Sequence, residues 1–425
     1  MIGFGAMTIY GIIDMFWVGR LGTPQVAAVT LMGSILWVFS SVNQIVGTGS
    51  VALISRRFGE KKYEMTSKVI KQTMLLKIII PVIMVYPLVI FLEKVLIMMK
   101  AEDEVIHYGL IYGKIMLLGL PVIFLMYTIY TAFRGVGDAP KSMYLMLFST
   151  FLNLVLDPIF IFDFGLGLGI AGAAYATVVS AFIPIFIGLV LLTKGMINIE
   201  FPLKSHWLPN PRIMIDIMKI GIPSGIENLM RSFAAWIIMI FVSSFGAVVL
   251  ASFGFARRII EMGIMFSIGM GMGNSAIVGQ CLGAEKPTRA GTSAKTAAIT
   301  IFLFLAVVAS VEIFFAEYIM AFFSKDPAVI EKGKVILTIM SLLQPFVGAQ
   351  IVINSTFKGA GNTIPPLFIT IFTYWVVEIP LVYYLIKILH FNSNFIFWSI
   401  VASQLIGFIN ISLWFSRGQW KNQKV

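Results

Sequence analysis

The stretch Met143-Tyr-Leu-Met-Leu-Phe-Ser-Thr-Phe-Leu-Asn153-Leu-Val-Leu-Asp157-Pro158-Ile-Phe-Ile-Phe162 holds one carboxylate and no cationic side chain to pair it. Its length and apolarity suit a membrane-spanning helix of about 20 residues. A carboxylate at that depth costs about 2.5–3.5 kcal/mol on insertion scales and therefore usually faces a cavity or an ion path. Asn153 and Asp157 are spaced i, i+4 and share one helix face, which continues backwards to Thr150 and Met146. Pro158 lacks an N–H, so the Leu154 carbonyl loses its usual helical donor and can face a cation or water. The plain reading is a polar cluster that packs helices together. The sharper reading is a cation or proton site.

The rest of the chain has the same character. Its 425 residues are 59% hydrophobic and 12% charged, with mean hydropathy +0.93, far outside the range of soluble globular proteins. Apolar runs recur from end to end, so the expected fold is all-α and polytopic, with no soluble second domain. Cys281 is alone, so cysteine usage says nothing about the compartment. The net charge of +11 is not a nucleic-acid signal, because basic residues sit in the loops between spans.

Twelve spans are expected, at about 1–18, 25–55, 72–98, 106–132, 142–162, 168–193, 213–243, 248–281, 294–321, 330–357, 364–388 and 394–416. The loops after the even-numbered spans carry most of the Lys and Arg, led by Arg56, Arg57, Lys61, Lys62, Lys68 and Lys71. By the positive-inside rule both termini are cytoplasmic. The halves also repeat. Adding 224 takes Gly22 to Gly246, Pro121 to Pro345, and Arg134-Gly-Val-Gly-Asp138 to Lys358-Gly-Ala-Gly-Asn362. Six spans per repeat give both halves one orientation, hence two six-helix lobes with a cleft between them. The expected division is an N-terminal lobe over 1–193, a cytoplasmic linker over 194–216 and a C-terminal lobe over 217–425. Gly-Val-Gly and Gly-Ala-Gly follow membrane spans and lack the strand that a nucleotide loop needs.

Function is expected where the symmetry breaks. Asp14 maps to Ile238 and Asp157 to Leu381, so the N-terminal half alone owns this acidic pair. Glu227 with Arg231, and Arg257 with Glu261, are spaced as i, i+4 ion pairs. Glu312, near the end of its span, is expected to snorkel toward water. Glu378 is the C-terminal candidate for a second proton or substrate site. Tyr127 and Tyr130 are aromatic candidates for lining a cleft that takes flat cations.

Several stretches together resemble the multidrug and toxic compound extrusion (MATE) exporters. They are Asp14-Met-Phe-Trp-Val-Gly-Arg-Leu-Gly22, Phe133-Arg-Gly-Val-Gly-Asp138, Asn153-Leu-Val-Leu-Asp157-Pro158, Gly169-Ile-Ala-Gly-Ala-Ala174 and Gly279-Gln-Cys-Leu-Gly-Ala284. The resemblance covers essentially the whole chain in order. It implies twelve helices in two lobes and drug efflux driven by inward Na⁺ or H⁺, with no cofactor. It places the coupling ion on Asp14, Asn153 and Asp157, the same three serving a Na⁺ ion, with Ala173 and Thr177 one span on. Positions aligned with the acids of a NorM-like branch hold Arg231 and Val347, which points to the DinF-like prokaryotic branch.

The leading expectation is an antiporter in a prokaryotic inner membrane. It would export a small organic, cationic substrate by alternating access, working as a monomer without nucleic acid. Met146, Thr150, Tyr127, Tyr130 and Glu378 are its substrate-binding candidates. The alternative is a lipid-linked oligosaccharide flippase of the same superfamily, kept open by Arg231, Arg257 and Arg258. An intramembrane enzyme is the remote reading: no H-E-x-x-H motif occurs, and His107, His206 and His390 are scattered. The repeat also predicts a short first span, because Pro223 has no counterpart within the chain; an upstream start is the expectation.

Overall fold

The computed structural model describes residues 14–194, Phe201 and residues 207–423, all helix and connection with no strand. The short-first-span expectation falls outside the described residues. The helical residues 14–19 (α1) are followed by α2 (Thr23–Gly59), α3 (Tyr63–Met98), α4 (Asp103–Gly135), α5 (Ala139–Ile161) and α6 (Ile170–Thr193). The second half comprises α7 (Pro211–Ser243), α8 (Ala247–Gly283), α9 (Pro287–Phe314), α10 (Ala316–Phe323), α11 (Pro327–Ser341) and α12 (Gln344–Gly359). It ends with a span of mixed winding over Ile364–Ile388, in which α13 (Ile364–Thr370) and α14 (Ile379–Tyr383) flank a π-helix, and then α15 (Asn394–Ser416). Among the described residues nine helices are long and apolar enough to cross a membrane, or ten if α11 and α12 form one bent span.

The internal repeat reaches the helix ends themselves. Adding 224 to Thr23 and Gly59 gives Ala247 and Gly283, the limits of α8. The same shift takes Asp103 and Gly135 of α4 to Pro327 and Gly359, the start of α11 and the end of α12. Gly137 and Gly361, also 224 apart, both hold positive φ (89° and 79°), so both halves turn out of a long helix at the same place. Asp138 then caps α5 by accepting from the Lys141 backbone N–H at 3.2 Å.

Regularity differs between the halves. α4 runs unbroken through Pro121, and α3 through Pro81 and Pro87. In the C-terminal half α11 and α12 meet at 43°, α9 stops at Phe314, and Ile371–Glu378 winds as a π-helix.

The chain divides into two compact units between Gly221 and Ile222. The stretch 211–221 of α7 therefore packs with the first unit. A methyl group on Gly49 would strike the Ile217 carbonyl, and one on Gly221 the Ile45 carbonyl, so these helices cross at backbone contact. Gln72 on α3 fixes the approach to α7: its Nε2 donates to the Leu208 carbonyl and its Oε1 accepts from the Asn210 N–H, both at 2.8 Å. Within the first unit a core of Val18, Met32, Leu92, Tyr112, Leu117, Leu120, Ala173 and Ala174 joins α1 to α4 and α6.

Candidate functional site

α5 shows why the polar residues of its sequence matter. Its buried stripe is Ser142, Leu145, Met146, Ser149, Asn153, Asp157 and Ile161, a helical face turned inward. Asp157 is fully buried and Asn153 is 1% exposed. Asn153 Nδ2 donates to Asp157 Oδ1 at 3.0 Å, so the expected face exists and its two key members touch. Among the described residues Asp157 Oδ2 and Asn153 Oδ1 are buried without a hydrogen-bond partner, and so is Asp14 Oδ1. Asp14, Asp157 and Tyr112 of α4 lie within electrostatic reach of one another. Trp17 meets Phe162 edge-on at 5.8 Å and ties the end of α1 to the end of α5.

The arrangement concentrates negative charge and unpaired oxygen. Among the described residues no Lys or Arg forms an ion pair with Asp14 or Asp157 (the guanidinium of Arg20 instead lies over the Phe16 and Trp17 rings at 4.6 and 5.0 Å). Two neighbouring carboxylates in a low-dielectric interior repel unless a proton or a cation lies with them. Asp14, Asn153 and Asp157 each carry a buried oxygen without a hydrogen-bond partner among the described residues, the atom type that a hard cation such as Na⁺ takes, or H⁺ on a carboxylate.

The other sequence candidates are placed as follows. Ala173 is fully buried in the core that contains Tyr112 and Val18. Thr177 is half-buried one turn further along α6, and its carbonyl accepts from Ser180 Oγ at 2.9 Å. Met146 is buried, whereas Thr150 is half-buried and lies beside the stripe. Tyr130 is fully buried, its hydroxyl 3.4 Å from the Leu145 carbonyl, and Tyr127 meets its ring edge-on at 6.1 Å. Both tyrosines lie near the positive charge of Arg134. In the other unit Glu378, 3% exposed, accepts from Ser403 Oγ and Gln404 Nε2, each at 2.8 Å.

Two expectations, one pairing and one placement, need correction. Glu227 does not pair with Arg231: Lys358 of α12 reaches it at 2.9 Å, and Arg231 donates to Asn228 at 2.7 Å. The Lys358 side chain crosses between helices to a group only 2% exposed, an approach that spacing within α7 cannot reveal. Glu312 does not snorkel. It is 6% exposed and hydrogen-bonded inward. Arg257 and Glu261 do pair, at 2.8 Å.

Two residues of the site escaped sequence reasoning. Ser149 lies i−4 from Asn153 on the buried stripe and donates to the Ser180 carbonyl of α6 at 2.9 Å. The i, i+4 pattern 149, 153, 157 was available to find it. Tyr112 had no such signal, because aromatics make up 13% of the chain.

A family model described as MatE matches residues 1–159 and 223–384, both halves of the repeat. The chain belongs to the MatE family. It is 27% identical over 381 residues to the probable multidrug resistance protein YoeA of Bacillus subtilis, covering 88% of this chain and 82% of that one. It is 26% identical over 411 residues to the multidrug export protein MepA of Staphylococcus haemolyticus, covering 96% and 88%. Among solved structures, a MOP superfamily transporter from Pyrococcus furiosus, reported with a reverse polarity of its binding pocket, aligns at TM-score 0.91 and 25% identity, covering all of this chain and 94% of that one. MATE in the bent conformation also aligns at TM-score 0.91 and 25% identity, over 99% of this chain and 94% of that chain. The fold is therefore that of the MATE transporters, twelve helices in two lobes, and the protein is a multi-pass membrane transporter and not an enzyme.

Proposed function

We propose that this MATE transporter is a secondary antiporter. It exports small organic compounds across a prokaryotic plasma membrane by alternating access, in exchange for H⁺ or Na⁺. Asp157 holds the coupling ion, Asn153 orients it, and Asp14 shares the charge. The observation that carries this reading is a buried Asp157 with a half-buried Asp14 in its electrostatic reach, each with a buried oxygen that has no hydrogen-bond partner among the described residues. Ala173 and Thr177 border the same helix interface, Met146, Thr150, Tyr127 and Tyr130 contribute substrate contacts, and Glu378 serves the C-terminal half. The loop charge pattern puts both termini in the cytoplasm, and each copy works as a monomer on a cationic substrate.

The test is efflux from lipid vesicles under separately imposed pH and Na⁺ gradients. The wild type responds to one gradient, and Asp157→Asn, which keeps the shape but cannot release a proton or neutralise a cation, responds to neither. Wild-type efflux by that variant would overturn the site.

A second reading, movement of an anionic lipid-linked headgroup, has one observation in its favour. Lys77, 1% exposed, lies near Arg134 in the first unit. Vesicles loaded with a lipid-linked phosphate in place of an organic cation separate the two.

A further inference from the structure

The tenth span breaks at a second buried acid. α11 ends at Ser341, α12 begins at Gln344, and the two helices meet at 43°. Pro345 has no N–H for the Ser341 carbonyl and crowds it. Its counterpart Pro121 sits in an unbroken α4, so the proline alone does not make the break. What differs is the group facing it. Ser341 Oγ donates to Glu312 Oε2 at 2.7 Å, and Gln344 Nε2 donates to Glu312 Oε1 at 3.3 Å. The same Nε2 lies 3.4 Å from the Ile260 carbonyl of α8. Ser341 is fully buried and Gln344 is 1% exposed.

Subtracting 224 from Glu312, Ser341 and Gln344 gives Leu88, Leu117 and Leu120, three leucines packed in the N-terminal core. Hydrocarbon therefore fills this place in one half, and a complete polar triad fills it in the other. A need for packing alone does not account for the exchange.

The charged groups on the elements around Glu312 leave it uncompensated. On α8, Arg257 pairs with Glu261 at 2.8 Å and Arg258 is exposed. Glu317 of α10 and Lys334 of α11 pair at 2.7 Å, Lys332 donates to Asn394 at 2.7 Å, and Glu331 is exposed. Lys358 of α12 is on Glu227, Arg289 and Lys295 lie toward the far end of α9, and Lys421 lies over Trp420. Among the described residues none forms an ion pair with Glu312. Among the described residues Gln344 Oε1 and Ser267 Oγ are buried without a hydrogen-bond partner. Ser267 faces Gly348, one turn along α12 from Gln344.

A carboxyl group needs donors when charged and an acceptor when protonated. Rotating the Gln344 amide by half a turn exchanges its donor for Oε1, so the same residues satisfy both states. We propose that Glu312, Ser341 and Gln344 form a proton-binding site in the C-terminal half, distinct from the Asp14–Asp157 pair. A proton from water adds to a Glu312 oxygen, the O–H donates to Gln344 Oε1, and the negative charge is cancelled with nothing oxidised. Because Ser341 and Gln344 flank the break, proton binding alters the hydrogen bonds that span it.

Infrared difference spectroscopy on the full chain in lipid vesicles tests this directly. The wild type shows a protonated carboxyl C=O band that grows as pH falls and shifts on ¹³C-glutamate labelling. Glu312→Gln loses that band completely, while Asp157→Asn and Glu378→Gln keep it. Gln344→Leu removes the acceptor and moves the band's pH midpoint, which keeps the test informative if Glu312→Gln does not fold. A spectrum unchanged by Glu312→Gln, or a band that follows Na⁺ and not pH, overturns the proposal. Failure of Asp157→Asn to abolish efflux would overturn the N-terminal coupling site and leave this band where it is.

Discussion

The two halves treat their intramembrane acids in opposite ways. In the N-terminal half Asp14 and Asp157 lie within electrostatic reach of each other, and each has a buried oxygen without a hydrogen-bond partner among the described residues. In the C-terminal half Glu227 has Lys358, Glu261 has Arg257, Glu312 has Ser341 and Gln344, and Glu378 has Ser403 and Gln404. Backbone regularity runs the other way, since the well-partnered half holds the broken span and the π-helix. A carboxylate held by a fixed cation, as Glu227 and Glu261 are, is already part of the scaffold. One whose neighbour is another carboxylate needs a proton or cation with it, and this is why the N-terminal pair is the proposed ion site.

The largest expected effect comes from the N-terminal acids. Asp157→Asn removes gradient-driven export altogether, read as efflux from vesicles. Placing the acid at the symmetric position, Leu381→Asp in that background, does not restore export and destabilises the fold by about 2.5–3.5 kcal/mol. Recovery of export would show that the halves are interchangeable and break the comparison. Tyr112→Phe sharpens it. That change keeps the ring but removes the hydroxyl within electrostatic reach of both acids, and the apparent ion affinity falls by no more than about tenfold, ~1.4 kcal/mol.

Next come the partnered acids. Glu227→Gln strands the Lys358 ammonium against α7, and Lys358→Met strands a carboxylate 2% exposed. Each single change costs about 3–5 kcal/mol if the pair is desolvated, and the double change costs less than either. Thermal unfolding in detergent checks the order. A double variant less stable than both singles would mean that these charges serve substrate and not scaffold.

Much of this is legible in the amino-acid sequence. Apolar length set the spans, and glycine and proline at one offset set the repeat, because backbone turns demand those residues wherever they occur. The Asn153–Asp157 contact followed from i, i+4 spacing. What spacing within one helix cannot see is a partner on another helix, hence Lys358 on Glu227 and Ser341 with Gln344 on Glu312. Tyr112 was invisible for a related reason: an aromatic in a spanning helix reads the same whether it packs against lipid or against two carboxylates. The π-winding over Ile371–Glu378 also has no composition of its own, since its residues would suit an ordinary α-helix.

The smallest expected effect tests whether local pairing in the C-terminal half is neutralisation and nothing more. Arg257 and Glu261 form an i, i+4 pair at 2.8 Å, with side chains 41% and 50% exposed. Arg precedes Glu, the less favourable order along a helix. Such a pair couples by less than about 1 kcal/mol when water reaches it. Arg257→Ala and Glu261→Ala therefore each have small effects, and the double variant is tolerated better than either, because it leaves no lone charge. A double-mutant cycle on thermal stability, with efflux measured alongside, supplies both readings. Near-wild-type efflux by the double variant leaves the pair as local scaffold. Efflux worse in the double than in both singles would move these two residues out of the scaffold and onto the substrate path. The contrast between an open N-terminal pair and a closed C-terminal half would then no longer hold.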